Sequence, residues 1–121
     1  MKLNLRERYE AFGGDYDSVI NRLREDARII KYLIKFMDYH YDKLIKDTLE
    51  AKDYETAFRE AHNLKGVCAN LSIDKLGASA SELTEALRGG NPKEDISELV
   101  EAVKHDYDMT IEALKGLESE A

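Results

Sequence analysis

Residues 53–71 read DYETAFREAHNLKGVCANL, and this stretch predicts a long helix that buries one narrow face. Its small or apolar residues recur in steps of four and three, at Ala57, Ala61, Leu64, Cys68 and Leu71. Such spacing is typical of the seam along which one helix packs against others in a bundle. Asp53 stands just before the first turn, where a carboxylate accepts hydrogen bonds from free backbone N–H groups, and is the expected N-cap.

The segments before this helix also have helical periodicity. A first helix is predicted over residues 3–12 and ends at Gly13 and Gly14, because glycine easily adopts the left-handed conformation of a helix C-terminus. Its apolar face consists of Leu5, Tyr9 and Phe12. Asp15 opens a short second helix, whose apolar residues are Val19, Ile20 and Leu23. One long helix is then predicted from Asp26, with apolar positions at Ile30, Leu33, Ile34, Met37, Tyr41, Leu44, Ile45 and Leu49.

The helix after the quoted stretch is predicted to begin at Ser72, a residue type whose hydroxyl caps helix N-termini. Its apolar residues follow the same spacing, at Leu76, Ala80, Leu83 and Leu87. Gly89 and Gly90 are expected to end it, because two consecutive glycines disfavour helix.

A last helix is predicted to start at Asn91 and Pro92, with asparagine as the cap and proline in the first helical position. Glu94 and Asp95 are expected in its first turn, where carboxylates interact favourably with the helix dipole. Its apolar face consists of Ile96, Leu99, Val103, Tyr107, Ile111 and Leu114.

Together these patterns predict an all-α fold. No alternating run of β-branched residues between turn residues is present, so the sequence offers no candidate strand. Four long amphipathic helices joined by short loops predict an antiparallel up-and-down four-helix bundle, with the two short N-terminal helices packed across one end. A chain of 121 residues has the size of one domain, which is predicted to cover residues 1–121.

The composition excludes several classes of protein. Hydrophobic residues make up 43% and charged residues 36% of the chain, which indicates a globular protein rather than a disordered or membrane-spanning one. With a net charge of −7, the chain lacks the basic face that nucleic acid or an anionic membrane surface requires. The single cysteine cannot form an internal disulfide, and no export or anchoring segment is evident, so we expect a cytoplasmic protein.

His62 is expected to be exposed in the middle of the quoted helix. On a helical wheel at about 100° per residue, it lies roughly 130° from the direction of the buried seam. Two neighbours on this surface, Gly66 and Ala69, lack long side chains, although a glycine costs a helix interior about 1 kcal/mol relative to alanine. The simplest account is clearance, because another protein can then approach the imidazole. We call the surface over Gly66 and Ala69 the clearing.

Three more side chains surround the clearing. Phe58 offers an apolar contact to a partner, and Arg59 borders the same surface. Lys65 lies one turn from His62 and places an ammonium near any negative charge on the ring. A neutral imidazole nitrogen is nucleophilic near physiological pH, so this pattern is typical of a nucleophile presented to another protein. Taken alone, an exposed histidine followed by lysine and glycine is better explained as an ordinary surface histidine beside a chance glycine.

The other histidines and the cysteine are interpreted as structural. His40 lies beside the apolar stripe of the long helix and is predicted to be partly buried, whereas His105 lies on a polar face and is predicted to be solvated. A di-iron bundle needs a Glu-x-x-His pair on each of two helices, and no histidine in this chain follows a glutamate at that spacing. Cys68 is expected to be a small buried hydrophobe.

The run AHNLKGVCANL, residues 61–71, resembles the signature A-H-x-L-K-G-x-A-x-N-L of histidine-containing phosphotransfer (HPt) domains. The similarity extends over essentially the whole chain, including the Gly-Gly-Asp turn at residues 13–15 and the loop that ends at residues 53–54. Three residues depart mildly from the family pattern: Asn63, Val67 and Cys68.

The resemblance implies a four-helix bundle in which His62 is the phosphoacceptor. Lys65 is then expected to stabilise the phosphoryl group, and Gly66 is expected to make room for a receiver domain, with further contacts at Phe58, Arg59 and Ala69. The implied partners are response-regulator receiver domains and a hybrid sensor kinase, with no nucleic acid and no membrane, and the chain is expected to be a monomer.

The same resemblance implies a phosphoryl carrier without a bound cofactor, for which the receiver supplies magnesium. The sequence contains no Gly-rich phosphate loop or ATP-binding segment, so we do not expect phosphorylation from ATP. Two alternatives stay open: an HPt-like bundle that binds partners without accepting phosphate, and an unrelated helical adaptor whose clearing is accidental.

Overall fold

The structure is a computed structural model that describes residues 3–92 and 94–120. Within these ranges the chain is helical and contains no strand, which confirms the predicted all-α class. The helices are α1 (Leu5–Phe12), α2 (Tyr16–Leu23), α3 (Asp26–Tyr39), α4 (Tyr41–Glu50), α5 (Tyr54–Leu71), α6 (Asp74–Leu87) and α7 (Ser97–Ala113), followed by a 3₁₀ turn at Leu117–Glu120. No helix in the described ranges is long and apolar enough to cross a membrane.

The predicted turn between the two N-terminal helices is present, whereas the start of α1 is shifted. The Asn4 side chain accepts a hydrogen bond from the Glu7 backbone N–H, so α1 starts two residues later than expected. Gly13 ends α1 in the left-handed conformation, with φ of 75°. The Asp15 carboxylate then accepts a hydrogen bond from the Ser18 N–H and caps α2. The predicted apolar face of α1 is buried.

The predicted long helix from Asp26 is wrong, because His40 interrupts it in a left-handed conformation, with φ of 58° and ψ of 56°. Tyr41, directly after the break, is buried and stacks on Phe36, whose ring also packs against Tyr107 of α7. This aromatic packing offsets the cost of a left-handed non-glycine residue. The predicted partial burial of His40 is also wrong, since the residue at the break is exposed.

Ser72 does not have its predicted role as the N-cap of the next helix. It is the C-cap of α5, with φ of 56°, and α6 begins two residues later at Asp74. The Ser72 hydroxyl instead accepts a hydrogen bond from Arg22 of α2 at 2.7 Å. A contact to an earlier helix therefore decides the orientation of this side chain.

The start of α7 also differs from the prediction. The helix begins at Ser97, so Pro92, Glu94 and Asp95 lie before it rather than in its first turn. The Asp95 carboxylate accepts a hydrogen bond from the Ser97 N–H at 2.9 Å and satisfies a free donor of the first turn. The proline and Asn91 therefore belong to the loop between α6 and α7.

Side chains of α1 join the ends of two other helices. The Tyr9 hydroxyl donates a hydrogen bond to the Leu71 carbonyl at the end of α5, and Arg8 donates to the Ala113 carbonyl at the end of α7. Consecutive helices pack on one another, with α4 against α5, α5 against α6 and α6 against α7. The core lies between them, and it includes the whole predicted seam of α5.

Candidate functional site

The histidine of the quoted stretch lies on the outer surface of α5. Asp53 caps this helix by accepting a hydrogen bond from the Thr56 N–H, and hydrogen bonding from the side chain and the backbone of Thr56 lowers the pKa of the Asp53 carboxyl. Because the seam residues of α5 are buried, the periodicity of the helix turns His62 away from the core. His62 is exposed, which confirms the exposure predicted from the helical wheel.

The clearing is present beside His62. Gly66 and Ala69 are both exposed, and a Cβ atom placed on Gly66 would meet no other atom within 4 Å. The lack of a side chain at Gly66 is therefore not required by packing inside this chain. It leaves open space next to the imidazole, as expected for a surface that another protein approaches.

Phe58 contacts the imidazole of His62 directly. Its half-buried ring stacks on that of His62, with 6.1 Å between the ring centroids and 17° between the ring planes. The two residues are one helical turn apart, which places their side chains on the same face of α5. Phe58 therefore forms one wall beside the histidine ring.

Arg88, at the end of α6, was not singled out by the sequence pattern. Its Cζ atom lies 5.3 Å from the centroid of the Phe58 ring. The guanidinium also donates two hydrogen bonds to Glu85, of 2.8 Å to Oε1 and 3.0 Å to Oε2. Only the packing of α6 on α5 brings these side chains together, and no local sequence signal indicates it.

The predicted cations of α5 differ in their surroundings. Lys65 is half-buried. Hydrogen bonding and charge from Arg88 lower the pKa of the Glu85 carboxyl on α6, and the charge of Lys65 lowers it further. Arg59 is exposed and donates a hydrogen bond to the Thr56 hydroxyl at 3.1 Å. Lys65 therefore belongs to a charged group with Arg88 and Glu85, whereas the guanidinium of Arg59 contacts the first turn of α5.

A groove borders the clearing on the side of α3. It has a volume of about 560 Å³ and is mainly apolar. Asn70 of α5, one turn beyond Gly66, lines it together with Tyr32 and Tyr39 of α3. These two tyrosines are 41% and 46% exposed, so the groove presents aromatic surface on α3.

The C-terminal end of α5 is held by side chains from the N-terminal helices. Arg22 of α2 donates hydrogen bonds to the carbonyls of Ala69 and Asn70, at 3.2 and 2.8 Å. Together with the bond from Tyr9 to Leu71, these contacts satisfy carbonyls that a helix end leaves free. The last turn of α5, which carries part of the clearing, therefore has a fixed position.

The remaining candidates lie outside this surface. His105 is exposed on α7, as predicted, and its Nδ1 atom lies 3.2 Å from the Asp106 carboxylate. Cys68 is buried, as expected, and burial raises the pKa of its thiol to about 12. Across residues 3–92 and 94–120, no group of three or more His, Cys, Asp or Glu side chains is arranged to hold a metal ion.

Comparison with known proteins agrees with the geometry of this surface. One family model, described as Hpt domain, matches residues 18–115. No curated protein and no solved structure matches the chain significantly. Hpt domains carry phosphoryl groups on histidine in two-component relays and interact with response-regulator receiver domains. The chain belongs to the Hpt domain family, which implies a role in histidine-containing phosphotransfer.

Proposed function

We propose that His62 accepts a phosphoryl group from the phosphoaspartate of one receiver domain and passes it to the aspartate of another. The observation that carries this proposal is an exposed imidazole on α5 beside open space at Gly66, within the matched family region. His105, the other exposed histidine in a helix, has a carboxylate next to its ring and no comparable clearing.

The transfer requires one displacement at phosphorus. The lone pair of a neutral His62 ring nitrogen forms the new P–N bond, while the P–O bond to the aspartate breaks and the carboxylate leaves with its electron pair. The proton on the other ring nitrogen stays there or exchanges with solvent. In the second step, the carboxylate of the accepting receiver attacks the phosphorus, the P–N bond breaks and the imidazole recovers its lone pair.

The side chains around His62 have distinct parts in this proposal. Lys65 would place its ammonium group near the phosphoryl oxygens, because a side chain one helical turn away can reach a negative charge on the His62 ring. The clearing would admit the receiver, with Phe58 and Arg59 at its border. The apolar groove lined by Tyr32 and Tyr39 would extend the contact surface for the same partner.

The receiver would also bring the acidic pocket and the magnesium ion, which neutralises phosphoryl oxygens during transfer. This chain would then act as a carrier rather than a kinase, and a hybrid sensor kinase would be the source of phosphate at the start of the relay. We further propose that the chain works as a monomer, since the surface around His62 needs no residue from a second copy.

For the fold, we propose that α3 with α4, α5, α6 and α7 form an antiparallel up-and-down four-helix bundle. The short connection between α5 and α6 and the packing of consecutive helices support this arrangement. The hydrogen bonds of Arg8 and Tyr9 join α1, which precedes the matched region, to α7 and α5. These bonds support a single domain over residues 1–121.

The proposal is tested by incubating the purified chain with a panel of receiver domains that carry labelled phosphoaspartate. We expect label to appear on the chain in an acid-labile, base-stable linkage, as a phosphohistidine requires. His62→Gln should abolish this uptake without loss of helical content, whereas His105→Gln, which removes another exposed imidazole, on α7, should retain it.

Each alternative predicts a different outcome. Receiver binding without any uptake of label would indicate a pure interaction module and would overturn the carrier proposal. Label that persists in His62→Gln would place the phosphoacceptor elsewhere. Uptake and binding that both survive Gly66→Arg would mean that the clearing has no part in docking.

A further inference from the structure

Three side chains from two helices form a stack next to the open space of the clearing. The rings of Phe58 and His62 are nearly parallel, and the guanidinium of Arg88 lies over the Phe58 ring. The distances from the Phe58 centroid, 6.1 Å to the His62 ring and 5.3 Å to Arg88 Cζ, are those of aromatic and cation–π contacts. Arg88 thus lies on the order of one Debye length from the imidazole at physiological ionic strength.

Glu85 balances the charge of Arg88 in this state. Both carboxylate oxygens accept hydrogen bonds from the guanidinium, yet the two side chains remain 59% and 57% exposed. Lys65 acts on the same carboxylate from α5. Arg88 is therefore paired with Glu85 while the histidine carries no phosphate, Lys65 attracts the same carboxylate, and neither cation is locked in a buried contact.

We propose that Phe58 and Arg88 are further functional residues of the transfer site: Phe58 holds the plane of the His62 ring, and Arg88 leaves Glu85 to become a second cation for phosphohistidine. This inference rests on the proposed function of His62. Phe58 is a positioning residue, because it acts through the imidazole, whereas Arg88 would contact the phosphoryl group.

The role of Phe58 follows from the geometry required for displacement. An exposed imidazole samples several side-chain rotamers, and a reacting nitrogen must be aligned with the bond that breaks. A ring stacked on one face of the imidazole reduces this freedom before the receiver docks. Phe58 is itself half-buried and covered by Arg88, so it is a fixed support.

The role of Arg88 follows from competition between two anions. The phosphoryl group on His62 carries more negative charge than the carboxylate of Glu85 and offers three acceptor oxygens. The long, exposed side chain of Arg88 can turn from one anion to the other, because an exposed ion pair of this kind contributes little stability. Glu85 would then compete with the phosphoryl group for Arg88 and weaken the contact between them.

The positioning role is tested first without any phosphate, by NMR of the His62 ring protons in the unphosphorylated chain. Phe58→Leu should remove the ring-current shift of these protons, whereas Phe58→Tyr should retain it. In transfer from a phosphorylated receiver, Phe58→Leu should be about two- to fivefold slower than Phe58→Tyr. Equal ring-proton shifts, or equal rates, in the two variants would overturn the positioning role.

The role of Arg88 is tested by the lifetime of the phosphorylated chain after removal of the receiver. Arg88→Gln should shorten the lifetime by about two- to fivefold, and Arg88→Lys should restore most of it. Glu85→Gln should lengthen the lifetime, because it frees the guanidinium. The matched control is Arg6→Gln, which removes an exposed arginine that pairs with Asp17 and lies over the Tyr16 ring on another part of the chain.

The outcomes separate this inference from the function on which it rests. If the wild-type chain takes up no label, the proposed function fails. If the wild type takes up label but Arg88→Gln and Arg6→Gln have the same lifetime, the function stands and the role of Arg88 is wrong. A lifetime difference between wild type and Arg88→Gln that does not shrink in high salt would also overturn it, because charge interactions at an exposed site are screened.

Discussion

Gly77 of α6 faces Cys68 of α5 so closely that a Cβ atom on Gly77 would lie 3.1 Å from the Cys68 Cβ. Gly66, on the opposite side of α5, has open space above it. Both glycines lie within helices, where each lowers helix propensity, but only Gly77 is needed for packing. The pair therefore separates a glycine required by the core from one that the core does not require.

The two glycines should respond oppositely to alanine. Gly77→Ala should lower the free energy of unfolding by about 1 kcal/mol, because overpacking of the α5 and α6 contact outweighs the gain in helix propensity. Gly66→Ala should raise it by up to about 1 kcal/mol, since the added methyl group meets no atom. Urea denaturation followed by circular dichroism measures both. A change of the same sign in the two variants would mean that the core does not distinguish the two glycines in this way.

A large side chain at Gly66 should block transfer without unfolding the chain. Gly66→Arg fills the clearing, so uptake of label from a phosphorylated receiver should fall by more than about tenfold, which corresponds to about 1.4 kcal/mol of docking free energy. Ala27→Arg adds the same group to an exposed position on α3 beside Glu120 and serves as the control. Loss of uptake in both variants would point to a general effect of charge rather than to the clearing.

Lys65 is predicted to stabilise the phosphorylated state. Lys65→Ala should shorten the lifetime of phosphohistidine by about two- to fivefold, because an ammonium near the phosphoryl oxygens is lost at a partly exposed site. Lys104→Ala removes an exposed lysine that pairs with Asp108 on α7, and its lifetime should equal that of the wild type. Unchanged decay in Lys65→Ala would remove this lysine from the mechanism.

Arg8 is expected to be the most important charged residue for stability. It is 3% exposed and donates hydrogen bonds to the carbonyls of Ala113 and Lys115 and to the carboxylate of Glu120. Arg8→Met should lower the free energy of unfolding by about 3 kcal/mol, because these buried or partly buried acceptors lose their donor.

The control for Arg8 is Arg6→Met, which removes an exposed arginine from the same helix and should change stability little. Both variants are compared with the wild type by urea denaturation. An effect of Arg8→Met below about 0.5 kcal/mol, typical of surface substitutions, would mean that these bonds do not hold α1 to α7.

Cys68 should make the free energy of unfolding depend on pH in the alkaline range. Burial raises the pKa of its thiol to about 12 in the folded chain, whereas an unfolded cysteine ionises near pH 8.5 to 9. The unfolded state therefore loses its proton first, and the free energy of unfolding should fall as the pH rises from about 8.5 towards 12. Below about pH 9, unfolded tyrosines are at most roughly one-tenth ionised, so the effect there belongs mainly to the cysteine.

The measurement compares wild type with Cys68→Ala by urea denaturation between about pH 7.5 and 9.5. The wild type should lose stability over this interval, and the variant should lose less. The folded wild-type thiol should also react slowly with iodoacetamide, because the thiolate is the nucleophile. Equal pH slopes in the two proteins, or rapid alkylation of the folded chain, would contradict the burial of Cys68.

The sequence alone determined those features that depend on neighbours within one or two helical turns. The buried seam of α5, the caps at Asp15 and Asp53, the exposure of His62 and the small residues of the clearing are all local in this sense. Periodicity and capping act through nearby backbone groups, so they can be read from the order of residues.

Tertiary structure decided the features that depend on contacts between distant segments. Aromatic packing against α7 accompanies the break at His40. Arg22 of α2 donates a hydrogen bond to the hydroxyl of Ser72, and the end of α6 places Arg88 over the Phe58 ring. None of these follows from periodicity, because an apolar stripe continues unchanged across a break and a surface arginine has no pattern of its own. The histidine and its clearing are thus local properties of one helix, whereas the charges around them arise from how α5 and α6 pack.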